Sequence, residues 1–178
     1  MLQRALSLTG VLLDPVECEQ LNRTVSARYL ASARERVVMF PALLPLLDSL
    51  QGRGTWMAIC TNQLEAHARK LLTMFELDTY FREVVGRNTF AVHKPNPVPL
   101  AWLAGRCGVK PHEILMVGDS EVDAQSAVHA GTGLVLMEHG YGDGRAISKY
   151  LRCPDFMTLN DCLRGVSGQS IEKTSLAI

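Results

Sequence analysis

Five short apolar runs recur along this chain, and stretches of helical composition separate them. The runs are Ala5–Leu8, Met57–Cys60, Glu83–Gly86, Glu113–Val117 and Gly133–Met137. Runs of this length suit strands buried on both faces, and helices between consecutive strands require crossover connections, which build a parallel sheet. The expected architecture is α/β: a Rossmann-like three-layer αβα sandwich around a central parallel sheet. A chain of 178 residues suffices for one domain with a proper core. No internal repeat or low-complexity linker interrupts the pattern.

Helices are expected from Glu17 to about Arg36, over Ala42–Gln51, from Leu64 to Phe75, over Pro97–Cys107 and from Glu121 to His129. Pro41 suits the first turn of the second, which turns Leu43, Leu44, Leu47 and Leu50 inward. Asn62 could cap the third, Gly108 fits the end of the fourth and Gly131 ends the fifth. A short helix after Tyr141, an edge strand near Asp155–Met157 and a last helix from Leu159 follow. The expected organisation is a single core domain over residues 1–164, with 15–38 as a residual helical cap or linker helix, and a flexible tail over 165–178.

Charge excludes some partners. With 18 basic and 18 acidic groups the formal net charge is zero, so neither nucleic acid nor an anionic membrane is an expected partner. No apolar run is long enough to span a bilayer, and the opening Met1-Leu2-Gln3-Arg4 lacks a signal-peptide pattern. Five cysteines, at 18, 60, 107, 153 and 162, form no C-x-x-C pair. A reduced, cytoplasmic protein is the simplest account.

Ligands of open parallel sheets sit at the carboxyl ends of the strands. That rule selects Ser7–Gly10, Thr61-Asn62, the loop holding His93-Lys94-Pro95, and Gly118–Asp123. Together they offer hydroxyls, backbone N–H groups, one lysine and two carboxylates, a set suited to an anionic oxygen ligand with Mg²⁺. Each piece has a plainer reading: Thr61-Asn62 as strand end and cap, Lys94 as a solvated loop lysine, Asp119 as a helix cap, Asp123 as a residue holding its loop together.

In family order, these residues resemble the haloacid-dehalogenase-like (HAD) phosphatases. Gly118-Asp119-Ser120-Glu121-Val122-Asp123, continued by Ala127, Ala130 and Gly131, resembles their fourth motif. Ile59-Cys60-Thr61-Asn62 resembles the second, and Lys94-Pro95 the third. Thr61-Asn62, Lys94-Pro95-Asn96-Pro97 and Gly140-Tyr141-Gly142 look most like the phosphoglycolate-phosphatase branch. The resemblance implies a HAD-like core in which Thr61, Asn62 and Lys94 bind phosphate. It also implies that Asp119, Asp123 and the backbone carbonyl of Thr9 hold Mg²⁺.

The first motif departs from the family. Its Asp-x-Asp-Gly-Thr-Leu stretch supplies the nucleophile and then a general acid/base. Here the chain reads Leu6-Ser7-Leu8-Thr9-Gly10-Val11-Leu12-Leu13-Asp14. Gly10, Leu12 and Asp14 set a register that puts Ser7 at the nucleophile and Thr9 at the acid/base. Serine attacks phosphorus only when a base removes its proton; histidines 67, 93 and 139 are candidates by elimination alone. Threonine in place of the acid removes a contribution usually worth about 10²–10⁴ in rate. One hard ligand is also lost, so Mg²⁺ is expected to bind weakly. The family's cap domain is reduced to residues 15–38, room for one long helix or a helical hairpin.

The expected function is therefore a pseudoenzyme that binds a small phosphorylated metabolite or a protein partner. A net charge of Asp119, Asp123 and Lys94 equal to that of a full family site with Mg²⁺ keeps phosphate binding reasonable. A weak or altered Mg²⁺-dependent phosphomonoester hydrolase and a structural or assembly module are the alternatives. A homodimer is also compatible with the shortened cap.

Overall fold

The computed structural model describes residues 14–139, 152–165 and 175–177. The chain divides into two compact units, Met1–Val38 and Met39–Ile178. In the first, α1 (Pro15–Arg36) is one continuous 22-residue helix, which decides between the single helix and the hairpin. Asp14 caps it: its carboxylate accepts from the N–H groups of Val16 and Glu17 at 2.7 and 2.8 Å, and Glu17 accepts from the Asp14 N–H at 2.9 Å. Such a reciprocal cap satisfies donors that the first helical turn leaves open.

The second unit contains α2 (Leu43–Gly52), β1 (Met57–Cys60), α3 (Glu65–Met74), β2 (Glu83–Val85), α4 (Val98–Cys107) and β3 (Ile114–Gly118). It continues through α5 (Glu121–Ala130), β4 (Gly133–Met137), β5 (Arg152–Cys153), α6 (Phe156–Gly165) and β6 (Ser175–Ala177). The six strands form one parallel sheet in the order β2-β1-β6-β3-β4-β5.

Alternate strand residues feed two cores, as the two-residue repeat of a strand dictates. Met57, Val117 and Leu176 pack with Leu46, Leu47 and Leu50 of α2 and Leu159 of α6. On the opposite face Ala58, Cys60, Met116 and Ala177 pack with Leu100 and Leu103 of α4 and Ala127 of α5. The result is the expected three-layer αβα sandwich with a central parallel sheet. Leu46 and Leu47 are fully buried, and each such side chain contributes about 1.5–3 kcal/mol.

Several expectations need correction. Helix α2 starts one residue later than expected, because Ala42 adopts a left-handed conformation, φ +62°; Pro41 precedes the helix instead of opening it. Leu44 is exposed, and Leu46 takes the inward place. The edge strand is Arg152–Cys153, not Asp155–Met157. Asp155 instead starts α6, its carboxylate accepting from the Thr158 N–H at 2.7 Å.

The largest correction concerns the tail. Ser175–Ala177, expected to lie in a flexible stretch, pairs in parallel with both β1 and β3 in the middle of the sheet. All three residues are buried. A central strand pays for its short length by losing water on both faces and both edges. The expected first strand, Ala5–Leu8, and the short helix after Tyr141 lie outside the described residues. No described helix is long and apolar enough to cross a membrane.

Candidate functional site

The sheet order reverses between β1, whose neighbour β2 lies to one side, and β3, whose neighbour β4 lies to the other. Ligand crevices of open α/β sheets form at such a reversal, beyond the carboxyl ends of the strands. There the β3–α5 turn is built around Asp123. One of its carboxylate oxygens, Oδ2, accepts from the N–H of Asp119 at 3.1 Å, the N–H of Ser120 at 3.1 Å and the Ser120 hydroxyl at 2.6 Å. Ser120 also caps α5. Gly118 is needed for this approach, since a Cβ there would stand 2.4 Å from the Cβ of Asp123.

The other oxygen of Asp123 accepts from Nζ of Lys94 at 2.6 Å, with both side chains only 7% exposed. Lys94 also donates to the carbonyl of Cys60 at the end of β1. Burial pushes the Asp123 carboxyl up, but the charge and hydrogen bond of Lys94, with help from Ser120 and Asp119, outweigh it and hold the group below the usual carboxylate range. Nearby, burial raises the Cys60 thiol to about 11, Lys94 opposing the rise and Asp123 adding to it. Cys60 is thus a core thiol, not a nucleophile.

At the end of β1, the Thr61 N–H donates to the Val85 carbonyl at 2.9 Å, and the Thr61 hydroxyl accepts from the Gln63 N–H at 3.1 Å. Asn62 does not cap the following helix. Its amide donates to the carbonyl of Lys94 at 2.9 Å and so braces the lysine loop. Helix α3 is capped from a distance by Asn88, whose Oδ1 accepts from the Glu65 N–H at 2.9 Å.

Thr61, Lys94, Asp119 and Asp123 line one cavity of about 340 Å³. Met116, Met137, Phe40, Phe156 and His139 line it as well. Phe40 stacks on His139 with ring centroids 5.8 Å apart and meets Phe156 edge-on at 5.7 Å. Sequence reasoning missed Phe40 and Phe156, and named His139 only as a base by elimination. An aromatic residue just before a helix with Pro41 nearby was the one available signal. Asn62, His67 and His93 are not on the lining, and Ser7 and Thr9 lie outside the described residues.

Among the described residues no group of three or more His, Cys, Asp or Glu side chains is placed to hold a metal ion. Asp119 brings a carboxylate to the cavity, whereas Asp123 spends its oxygens on Lys94, Ser120 and the backbone of Asp119. The described residues alone do not fit a Mg²⁺ site, which prefers several hard oxygens in octahedral array.

A parallel sheet of this order, with a buried lysine–aspartate pair at its switch point, places the chain among the Rossmann-like αβα proteins. The sequence profile described as haloacid dehalogenase-like hydrolase matches residues 10–137, most of the chain, and the chain belongs to that family. Within it, the chain is similar to phosphoglycolate phosphatases. It is 32% identical over 151 residues to a phosphoglycolate phosphatase of Aliivibrio fischeri, covering 83% of this chain and 66% of that protein. It is 42% identical over 103 residues to one of Rhodospirillum rubrum, covering 58% and 43%. A solved structure, a predicted phosphoglycolate phosphatase from Haemophilus somnus, superposes with TM-score 0.76 at 26% identity, covering 93% of this chain and 73% of that one. The chain spans less than two thirds of the length of these two curated relatives. The profile match starts at Gly10, just past Ser7 and Thr9.

Proposed function

We propose that this protein binds a small phosphorylated molecule in the cavity and turns it over slowly or not at all. The observation that carries the reading is the state of Lys94. An ammonium has three N–H donors; here two go to Cys60 and Asp123, and the third has no partner among the described residues. Lys94 lines the cavity together with Thr61, where an incoming phosphate oxygen would complete its donor set with a charge-assisted bond. Low turnover follows from Ser7 and Thr9 standing in place of two aspartates, which leaves neither a ready nucleophile nor a carboxylic acid for the leaving group. Mg²⁺ binds weakly in this reading, because a hard ligand of the family's set is missing at Ser7. A cytoplasmic setting goes with it, since the five cysteines are free.

The Asp119 carboxylate on the cavity wall favours a second reading, weak Mg²⁺-dependent phosphomonoester hydrolysis. Two measurements decide. Inorganic phosphate at millimolar concentration raises the Tm of the wild-type chain and not that of Lys94→Met/Asp123→Asn, which removes the cation without stranding a buried charge; an unmoved wild-type Tm refutes binding. With Mg²⁺ and p-nitrophenyl phosphate no turnover is expected, and turnover that Asp119→Asn abolishes establishes the hydrolase instead.

A further inference from the structure

Resting on that phosphate-binding reading, we infer that the molecule held here is a phosphate ester of a flat aromatic ring system. The cavity lining is chemically mixed. Lys94, Thr61 and Asp119 give the lining its polar part, and Phe40, Phe156 and His139 its aromatic part. Phe40 is 50% exposed, so its ring is not consumed by the core. It lies nearly parallel to His139, 19° between planes, with Phe156 at 65° to it. Aromatic side chains grouped this way can take up a further ring, in the offset or edge-to-face geometry that aromatic pairs prefer. The left-handed Ala42 sits between Phe40 and α2, a conformation that alanine disfavours and that strained functional positions retain.

Size and charge agree. At about 340 Å³ the space is in the range of pockets that enclose ligands of many atoms, far more than one phosphate fills. Phosphoglycolate, in the name of the relatives, carries a carboxylate beside its phosphate. Here that second anion would join two carboxylates, Asp119 and Asp123, that already line the cavity. A neutral ring meets no such penalty and displaces water from Phe40 and Phe156.

Calorimetric titration of the full chain with inorganic phosphate, methyl phosphate, phenyl phosphate and 2-phosphoglycolate tests this. Phenyl phosphate should bind about tenfold tighter than methyl phosphate or phosphoglycolate, the factor one good aromatic contact supplies. Phe40→Ala, at a half-exposed position, should bring phenyl and methyl phosphate within about twofold and leave inorganic phosphate unchanged; Phe156→Leu should act in the same direction. Equal binding of the phenyl and methyl esters to wild type overturns the inference and leaves the phosphate reading intact. Phe40→Ala weakening all ligands alike also overturns it. Failure of every ester and of phosphate itself overturns both.

Discussion

The turn from β3 into α5 and the turn from β1 into α3 border the same cavity, yet they draw on different parts of the chain. In the first, the turn's own backbone and hydroxyl braces are local: Gly118, Asp119, Ser120 and Asp123 lie within six consecutive positions and hold one another. Lys94 is its distant partner, through Asp123. In the second, the cap on Glu65 comes from Asn88, 23 residues away. Asn62 reaches 32 residues to the Lys94 carbonyl, and Gly86 admits the backbone of Glu65. The local turn can form as soon as its own segment folds. The distant one exists only once β2 and the lysine loop are in place, so its geometry reports on the tertiary structure. Lys94 joins the two through Cys60 on one side and Asp123 on the other.

The largest effect should come from cutting that link. Lys94→Met strands a buried carboxylate and should cost about 3–5 kcal/mol in chemical denaturation at pH 7. In wild type the Asp123 carboxyl is held low, so its contribution is complete above the unfolded value of about 3.9 and is lost as pH falls through the folded value. Without Lys94, burial dominates and raises the carboxyl. The sign then reverses, and the defect should shrink as the pH is lowered towards 4. A deficit that stays constant with pH would mean that Asp123 does not depend on Lys94 for its charge.

Next come the two glycines. Gly86→Ala places a Cβ 2.3 Å from the Glu65 nitrogen, and Gly118→Ala one 2.4 Å from the Asp123 Cβ. Each should cost about 1–3 kcal/mol, Gly86→Ala more, because a helix backbone yields less readily than a side chain. Only Gly118→Ala should also abolish stabilisation by phosphate, since it displaces Asp123 and with it Lys94. Equal loss of ligand response in both variants would erase the distinction between the turns.

The smallest effects separate the caps. Ser120→Ala and Asn88→Ala should each cost about 0.5–2 kcal/mol. Hydrogen exchange should rise in α5 alone for the first, and in α3 together with the 86–89 loop for the second, where Thr89 bridges Gly86 and Glu65.

The same contrast explains what could be read from residues alone. Met57–Cys60 and Gly133–Met137 stood out as apolar runs between helical patterns, and Gly108 and Gly131 marked helix ends, where they adopt φ +75° and +71°. Thr61, Lys94, Asp119 and Asp123 were legible through motif order, and they meet at one cavity. Asn62 read as a local cap because a nearby helix start is the commonest use of asparagine there. Its actual partner depends on where the fold brings Lys94. Asn88 carries no local signature for the same reason, and Phe40 only the weak one of an aromatic residue just before a helix. Ser175-Leu176-Ala177 is too short for a period to emerge, and its place in the sheet is set by the edges of β1 and β3 rather than by its own composition.

That strand has a consequence for biosynthesis. Among the described residues, β1 with β2 and β3 with β4 and β5 are joined edge to edge only through β6. A nascent chain can assemble each half of the sheet while translation continues. The seam between them stays open until residues 175–177 have left the ribosome, long after 57–60 were made. During that interval the facing edges of β1 and β3 have no partner strand among the described residues, an arrangement that invites mispairing with other chains. Yield in the cell should therefore depend on how soon residues 175–177 follow the rest of the sheet and on a chaperone shielding the seam.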